Sequence, residues 1–144
     1  MKSGTHPRVF VDSNVWFSAF HSSLNCQKIL ISHEEGQINA VISQQVLGEV
    51  VKHIRMKIPD MLPHFQNFMV TSPPEIVADS LKIPKEIMLI ISDQKDQPIF
   101  TSAIVAEVDY FITGNIKDFK RDKLEKMTKI KIQTPVEAVK FFKL

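Results

Sequence analysis

The chain has 144 residues, 44% of them apolar and 24% charged, with a formal net charge of +2. That balance excludes a wholly disordered chain, and the length suits one domain (residues 1–144, core about 8–142). Cys26 is the only cysteine, which excludes an internal disulfide, and no apolar run approaches the roughly 20 residues that cross a bilayer.

Arg8–Val11 is a short apolar run ending at Asp12, the pattern of a buried central strand. Asn14 is placed to cap a helix over Val15–Phe20, anchored by Trp16, Phe17 and Phe20. A second helix is expected over Asn25–Glu35 with Ile29, Leu30 and Ile31 inward, stopped by Gly36. Ile38–Ile42 reads as the second strand, and Ser43 caps a helix carrying Val46, Leu47, Val50, Val51 and Ile54 at helical spacing. Ile58-Pro59 breaks that helix, and a shorter one follows over Asp60–Phe68 despite Pro63. Phe68–Thr71 is the expected third strand, stopped by Pro73-Pro74, and residues 75–91 lean towards helix. Asp96 opens a helix with Pro98 in its first turn and Ile99, Phe100, Ala103, Ile104 and Ala106 along it. Tyr110–Thr113 and Lys129–Ile132 read as the last two strands, and Thr134-Pro135 opens a final helix. Strands alternating with helices predict an α/β fold with a parallel sheet and right-handed crossovers.

Side chains just beyond the carboxyl ends of parallel strands converge on one crevice. Asp12, Glu49, Asp96 and Asn115 each stand where an apolar segment ends or near a helix start. Gathered carboxylates repel one another, and a divalent cation is the usual remedy. Such a site suits a metal-dependent phosphodiesterase, with Mg²⁺ or Mn²⁺ preferred because every ligand is an oxygen. Each residue also has a plainer role. Asp12 can cap the first helix, Glu49 can sit on an exposed helix face, and Asp93 or Asp96 can cap the helix they precede. Asp93 is the second choice of ligand in that segment. Thr113, Asn115 and Asp118 can face the same crevice, or Asn115 can be a turn residue with Asp118 capping the next helix.

Charge is uneven. From Asn115 onward there are nine Lys or Arg against four Asp or Glu, and in the remainder nine against twelve. Lys117, Lys120 and Arg121 therefore offer a basic flank suited to a phosphate backbone, although interleaved Asp118, Asp122 and Glu125 also fit a solvated helix face. The five histidines show no zinc-site spacing, and both the Walker-type phosphate loop and the dinucleotide glycine fingerprint are missing. A receiver-like signalling domain also places Asp after its first strand, but Phe68–Pro73 supplies no acceptor Asp after a third strand.

The segments Val9–Val15, Ile42–Glu49, Asp93–Asp96 with Ala103, Asp109–Phe119 and Ile130–Pro135 together resemble the PIN-domain family, in particular its small prokaryotic VapC-type members. The resemblance implies a three-layer α/β/α fold with a five-stranded parallel sheet in the order 3-2-1-4-5. It implies that Asp12, Glu49 and Asp96 form an acidic metal-binding and catalytic core, completed by Asn115 or Asp118. Ser13 and Ser43 match positions that support the ligands, with Asn14, Asp93 and Thr113 as further supporting or alternative groups. The family usually has Asp where Asn115 stands, a departure that bears on a second metal and on activity. The expected activity is endoribonucleolytic cleavage of single-stranded RNA, with an antitoxin protein and a second copy of the chain as possible partners. A binding or regulatory module on the same fold is the alternative. The opening Met1–Arg8 lacks the apolar stretch of a secretory leader, so the expected location is the cytoplasm, away from membranes.

Overall fold

The computed structural model describes residues 6–144; the first five residues of the opening segment lie outside the described residues. Five strands form one sheet: β1 (Arg8–Val11), β2 (Asn39–Ser43), β3 (Glu75–Val77), β4 (Tyr110–Ile112) and β5 (Lys131–Gln133). Their order is β3-β2-β1-β4-β5 and every pairing is parallel. The α-helices are α1 (Ser13–His21), α2 (Leu24–Glu34), α3 (Gln44–Lys57), α4 (Leu62–Thr71), α5 (Lys85–Ile90), α6 (Asp96–Val105), α7 (Arg121–Thr128) and α8 (Pro135–Phe141). None of the described helices is long and apolar enough to cross a membrane.

Strand alternation separates the layers. Phe111 of β4 packs against Phe100 of α6 and Phe119, while its neighbour Tyr110 meets Phe141 and Phe142 around α8. Successive strand residues point to opposite faces, so α6 and α8 cover opposite sides of the sheet. On the α8 side, α2 packs against α8 and α1, and α1 packs against α3. Phe10 of β1 stacks on Phe111 with ring centres 5.3 Å apart, which ties the two central strands together under α6.

β1 connects towards β2 on one side, and β4 connects towards β5 on the other. The crevice between their carboxyl ends is therefore the switch point where such sheets hold their functional groups.

Several expectations need correction. Phe68 lies in α4, not in a third strand; Phe65 and Phe68, three residues apart, share a helix face and meet Trp16 and Phe20 edge-on. The third strand forms beyond Pro73-Pro74 as Glu75–Val77, and only Lys85–Ile90 of the following stretch is helical. The expected helix from Asp60 begins as a 3₁₀ turn at Pro59–Met61, and Pro63 is accommodated in the first turn of α4. Ile31 is 45% exposed, because Ile29 and Leu30 already fill the inward face of α2. β5 starts at Lys131 because Lys129, with φ 64°, closes α7. Asn14 does not cap α1; Asp12 does, accepting from Ser13 N. The revised β3 is followed by Asp79, yet β3 is an edge strand here, whereas receiver-like sheets run 2-1-3-4-5 with the third strand inside. Asp79 instead accepts from Gln45 N at the start of α3.

Candidate metal centre

Asp12 is 3% exposed at the end of β1. Its Oδ1 accepts from Ser13 N at 2.8 Å, and its Oδ2 accepts from Thr113 Oγ1 at 2.9 Å and Asn14 Nδ2 at 3.3 Å. Capping and crevice-facing roles thus fall to different oxygens of one carboxylate. Burial pushes its pKa up, hydrogen bonds from Thr113, Ser13 and Asn14 pull it down, and nearby Glu49 adds upward pressure. Asn14 bridges the two central strand ends: its Nδ2 reaches Asp12 and Thr113, and its Oδ1 accepts from Gly114 N at 2.8 Å. A Cβ at Gly114 would sit 3.0 Å from that Oδ1, so the missing side chain permits the approach.

Glu49 comes from α3, whose first turn is fixed by Ser43 Oγ accepting from Val46 N. Ser13 Oγ donates to Glu49 Oε1 at 2.9 Å, and Gln45 Nε2 donates to Oε2 at 3.3 Å. Gln45 also donates to Lys95 O at 3.1 Å, linking α3 to the segment that carries Asp96.

Asp96 opens α6. Burial, then the charges of Asp12, Asp93, Asp118 and Glu49, push its pKa from 3.8 to about 7. Among the described residues, no hydrogen-bond donor serves its carboxylate. Asp93 Oδ1 instead accepts from Lys95 N at 2.9 Å.

Asp12, Ser13, Asn14, Glu49, Asp93, Asp96 and Asn115 line a single cleft of about 260 Å³. Thr113 and Ser43 are fully buried and do not line it; Thr113 acts through Asp12, and Ser43 through the start of α3, which it caps. Asp118 is not on the cleft wall, although its charge bears on Asp96. Lys117, Lys120 and Arg121 line a second depression; Arg121 Nη1 donates to Glu137 Oε1 at 2.6 Å, so this cation also braces α8. The sequence reading missed Phe17, His53, Lys57 and Lys95, which share the cleft. The usable signal was the four-residue interval Glu49–His53–Lys57 along α3.

Among the described residues, no three His, Cys, Asp or Glu side chains already stand around one point to enclose a metal ion. Asp12 and Glu49 are turned to their own donors, and mutual repulsion keeps bare carboxylates apart. The donor chemistry itself fits a hard divalent cation, since Asp12, Glu49, Asp93 and Asp96 bring carboxylate oxygens to one cleft and the charges that act on Asp96 are all carboxylates.

Fold and cleft together define an α/β/α domain with an acidic centre at the switch point of its parallel sheet. The family model of the PIN domain matches residues 8–117, and the chain belongs to that family, whose members are nucleases in general. Among solved structures, the crystal structure of VapBC2 from Rickettsia felis bound to a DNA fragment from their promoter contains a similar fold. The match has a TM-score of 0.60 at 15% identity and covers 88% of this chain and 98% of that one. No curated protein matches the chain.

Proposed function

We propose that the protein is a metal-dependent endoribonuclease acting on single-stranded RNA, the toxin of a toxin–antitoxin pair. The observation that carries this reading is the meeting of Asp12, Glu49 and Asp96, from three separate elements, on one cleft where Asp96 is left without a counter-charge. These three residues would hold Mg²⁺ or Mn²⁺, completed by Asn115, which lines the same cleft, or by Asp118, whose charge reaches Asp96 from outside the cleft wall. The chemistry such a cation would supply there is polarisation of the scissile phosphate and a lowered pKa for an attacking water.

The remaining steps fall to the chain's own groups. Ser13 and Gln45 fix both oxygens of Glu49, and Thr113 and Asn14 orient Asp12. Preset ligand directions of this kind typically govern metal affinity ten- to a hundredfold, roughly. Lys117 and Lys120 would draw the phosphate backbone towards the rim. The antitoxin partner is inferred from the fold shared with the VapBC2 complex, and a homodimer remains part of the same reading.

Asp12→Asn is expected to abolish Mn²⁺-dependent cleavage of a mixed RNA pool while leaving the circular dichroism spectrum intact. Equal cleavage by parent and variant would show the reading to be wrong. The second reading, a binding module without hydrolysis, is favoured by one observation: Asn115 supplies only a neutral oxygen to the cleft. Asn115→Asp tests it. A large gain of cleavage favours the degraded-site reading, and full activity in the parent removes it.

A further inference from the structure

Helices α1 and α3 carry functional side chains at matching four-residue intervals: Ser13, Phe17 and His21 on one, Glu49, His53 and Lys57 on the other. Residues four apart lie on one helix face, so each series forms a rail about one turn per step. The rails meet in order. Ser13 donates to Glu49 at 2.9 Å, the Phe17 and His53 rings lie edge to face at 6.3 Å, and Lys57 Nζ stands 5.7 Å from the Phe17 ring centre. His21 stacks on Phe17 at 5.7 Å, one step further along α1. Phe17, His53 and Lys57 line the same cleft as the acidic floor; Phe17 and His53 are half-buried, and Lys57 is exposed. The cleft therefore passes, within one helical turn, from clustered carboxylates to an aromatic ring flanked by a cation and an imidazole.

An exposed ammonium resting on a ring gains only about 0.5–1 kcal/mol, so the Lys57–Phe17 contact alone gives little reason for this arrangement. Its composition matches what a single nucleic-acid strand needs: positive charge for a phosphate and, where exposed Lys57 swings off the Phe17 ring to meet that phosphate, a ring face for the adjoining base. We propose that this trough is a nucleotide subsite, in which the base beside the scissile phosphate stacks on Phe17 and the adjoining phosphate is held by Lys57 and by the His53 ring N–H. The inference rests on the ribonuclease reading for its substrate and adds where the strand lies. A base stacked on a protein ring must have left its duplex partner, so the subsite selects unpaired strands. Every base offers a ring face, so it discriminates little between sequences.

The test uses the full chain and a mixed-sequence single-stranded RNA oligomer carrying a fluorescent end label and one 2-aminopurine. Binding is measured in chelator, so the strand stays whole. Lys57→Ala is expected to weaken binding about tenfold, as for one charged hydrogen bond. It should also lower the slope of log Kd against log salt by about 0.7, one phosphate contact on a single strand. Phe17→Leu keeps the apolar bulk and is expected to weaken binding at least about fivefold and to remove the quenching of 2-aminopurine. Thermal melts identify any variant that fails to fold, and His53→Gln then supplies a second reading of the phosphate contact. Absence of binding by the parent, or unchanged affinity, salt slope and quenching in the folded variants, overturns the subsite. Phe17-dependent quenching in a parent that cleaves no RNA with Mn²⁺ supports the subsite while the ribonuclease reading fails.

Discussion

Asp96→Asn isolates the electrostatic pressure at the crevice. In the folded chain the Asp96 carboxyl binds its proton up to about pH 7, against 3.8 for an ordinary Asp. Between those values the folded state holds more protons than the unfolded chain, so stability falls as pH rises. The contribution is complete below about pH 3.8 and is lost as pH passes through about 7. A rise from 3.8 to about 7 is worth about 4 kcal/mol unscreened, and solvent at this partly open cleft reduces it to about 1–2 kcal/mol. Asn removes the charge at nearly the same shape. In chelator at pH 8, Asp96→Asn should therefore melt about 3–6 °C above the parent. At pH 4 the two should coincide, because Asp96 is then protonated in the folded protein. Adding Mn²⁺ at pH 8 should stabilise the parent more than the variant, reversing the gap. Urea titrations across pH 4–8 measure the difference directly, and a gap that stays constant with pH refutes the argument.

The other predictions concern the supports. Ser13→Ala removes the donor to Glu49 Oε1, and calorimetric titration should show Mn²⁺ affinity falling about ten- to a hundredfold. Phe10→Ala opens the centre of the sheet where Phe10 and Phe111 are both fully buried; urea unfolding should register a loss of about 3–5 kcal/mol.

The central strands were legible because their signals agree. Val9, Phe10 and Val11 are an unbroken apolar run, and all three are fully buried between two neighbours. β3 carried no such run: Glu75 and Ile76 are exposed on an edge strand, and the more apolar Phe65–Met69 next door was a helix face. Helix ends fared better where a capping side chain decides them, as at Ser43 and at the reciprocal Thr134–Glu137 box that opens α8. The cap of α1 was misassigned to Asn14 because sequence does not reveal that its amide is committed to Gly114 and Thr113, about a hundred residues away.

The same limit explains the site. Asp12 stood out because a carboxylate after a buried strand is costly to bury unpaired, and the structure places it on the cleft with three donors while it also caps α1. Glu49 on spacing alone resembled any exposed helix residue. What distinguishes it is the packing of α1 against α3, which sets Ser13 opposite Glu49 and Phe17 opposite His53. That packing is a property of apolar faces remote from the polar rails, so the functional register is imposed by the core. The three acidic groups consequently differ in kind. Asp12 has three donors and Glu49 two, so each is settled before any cation arrives. Asp96 has none among the described residues and bears the charge of four neighbouring carboxylates. Under the proposed reading, a cation entering the cleft would therefore gain most of its differential stabilisation at Asp96, the carboxylate with no donor of its own.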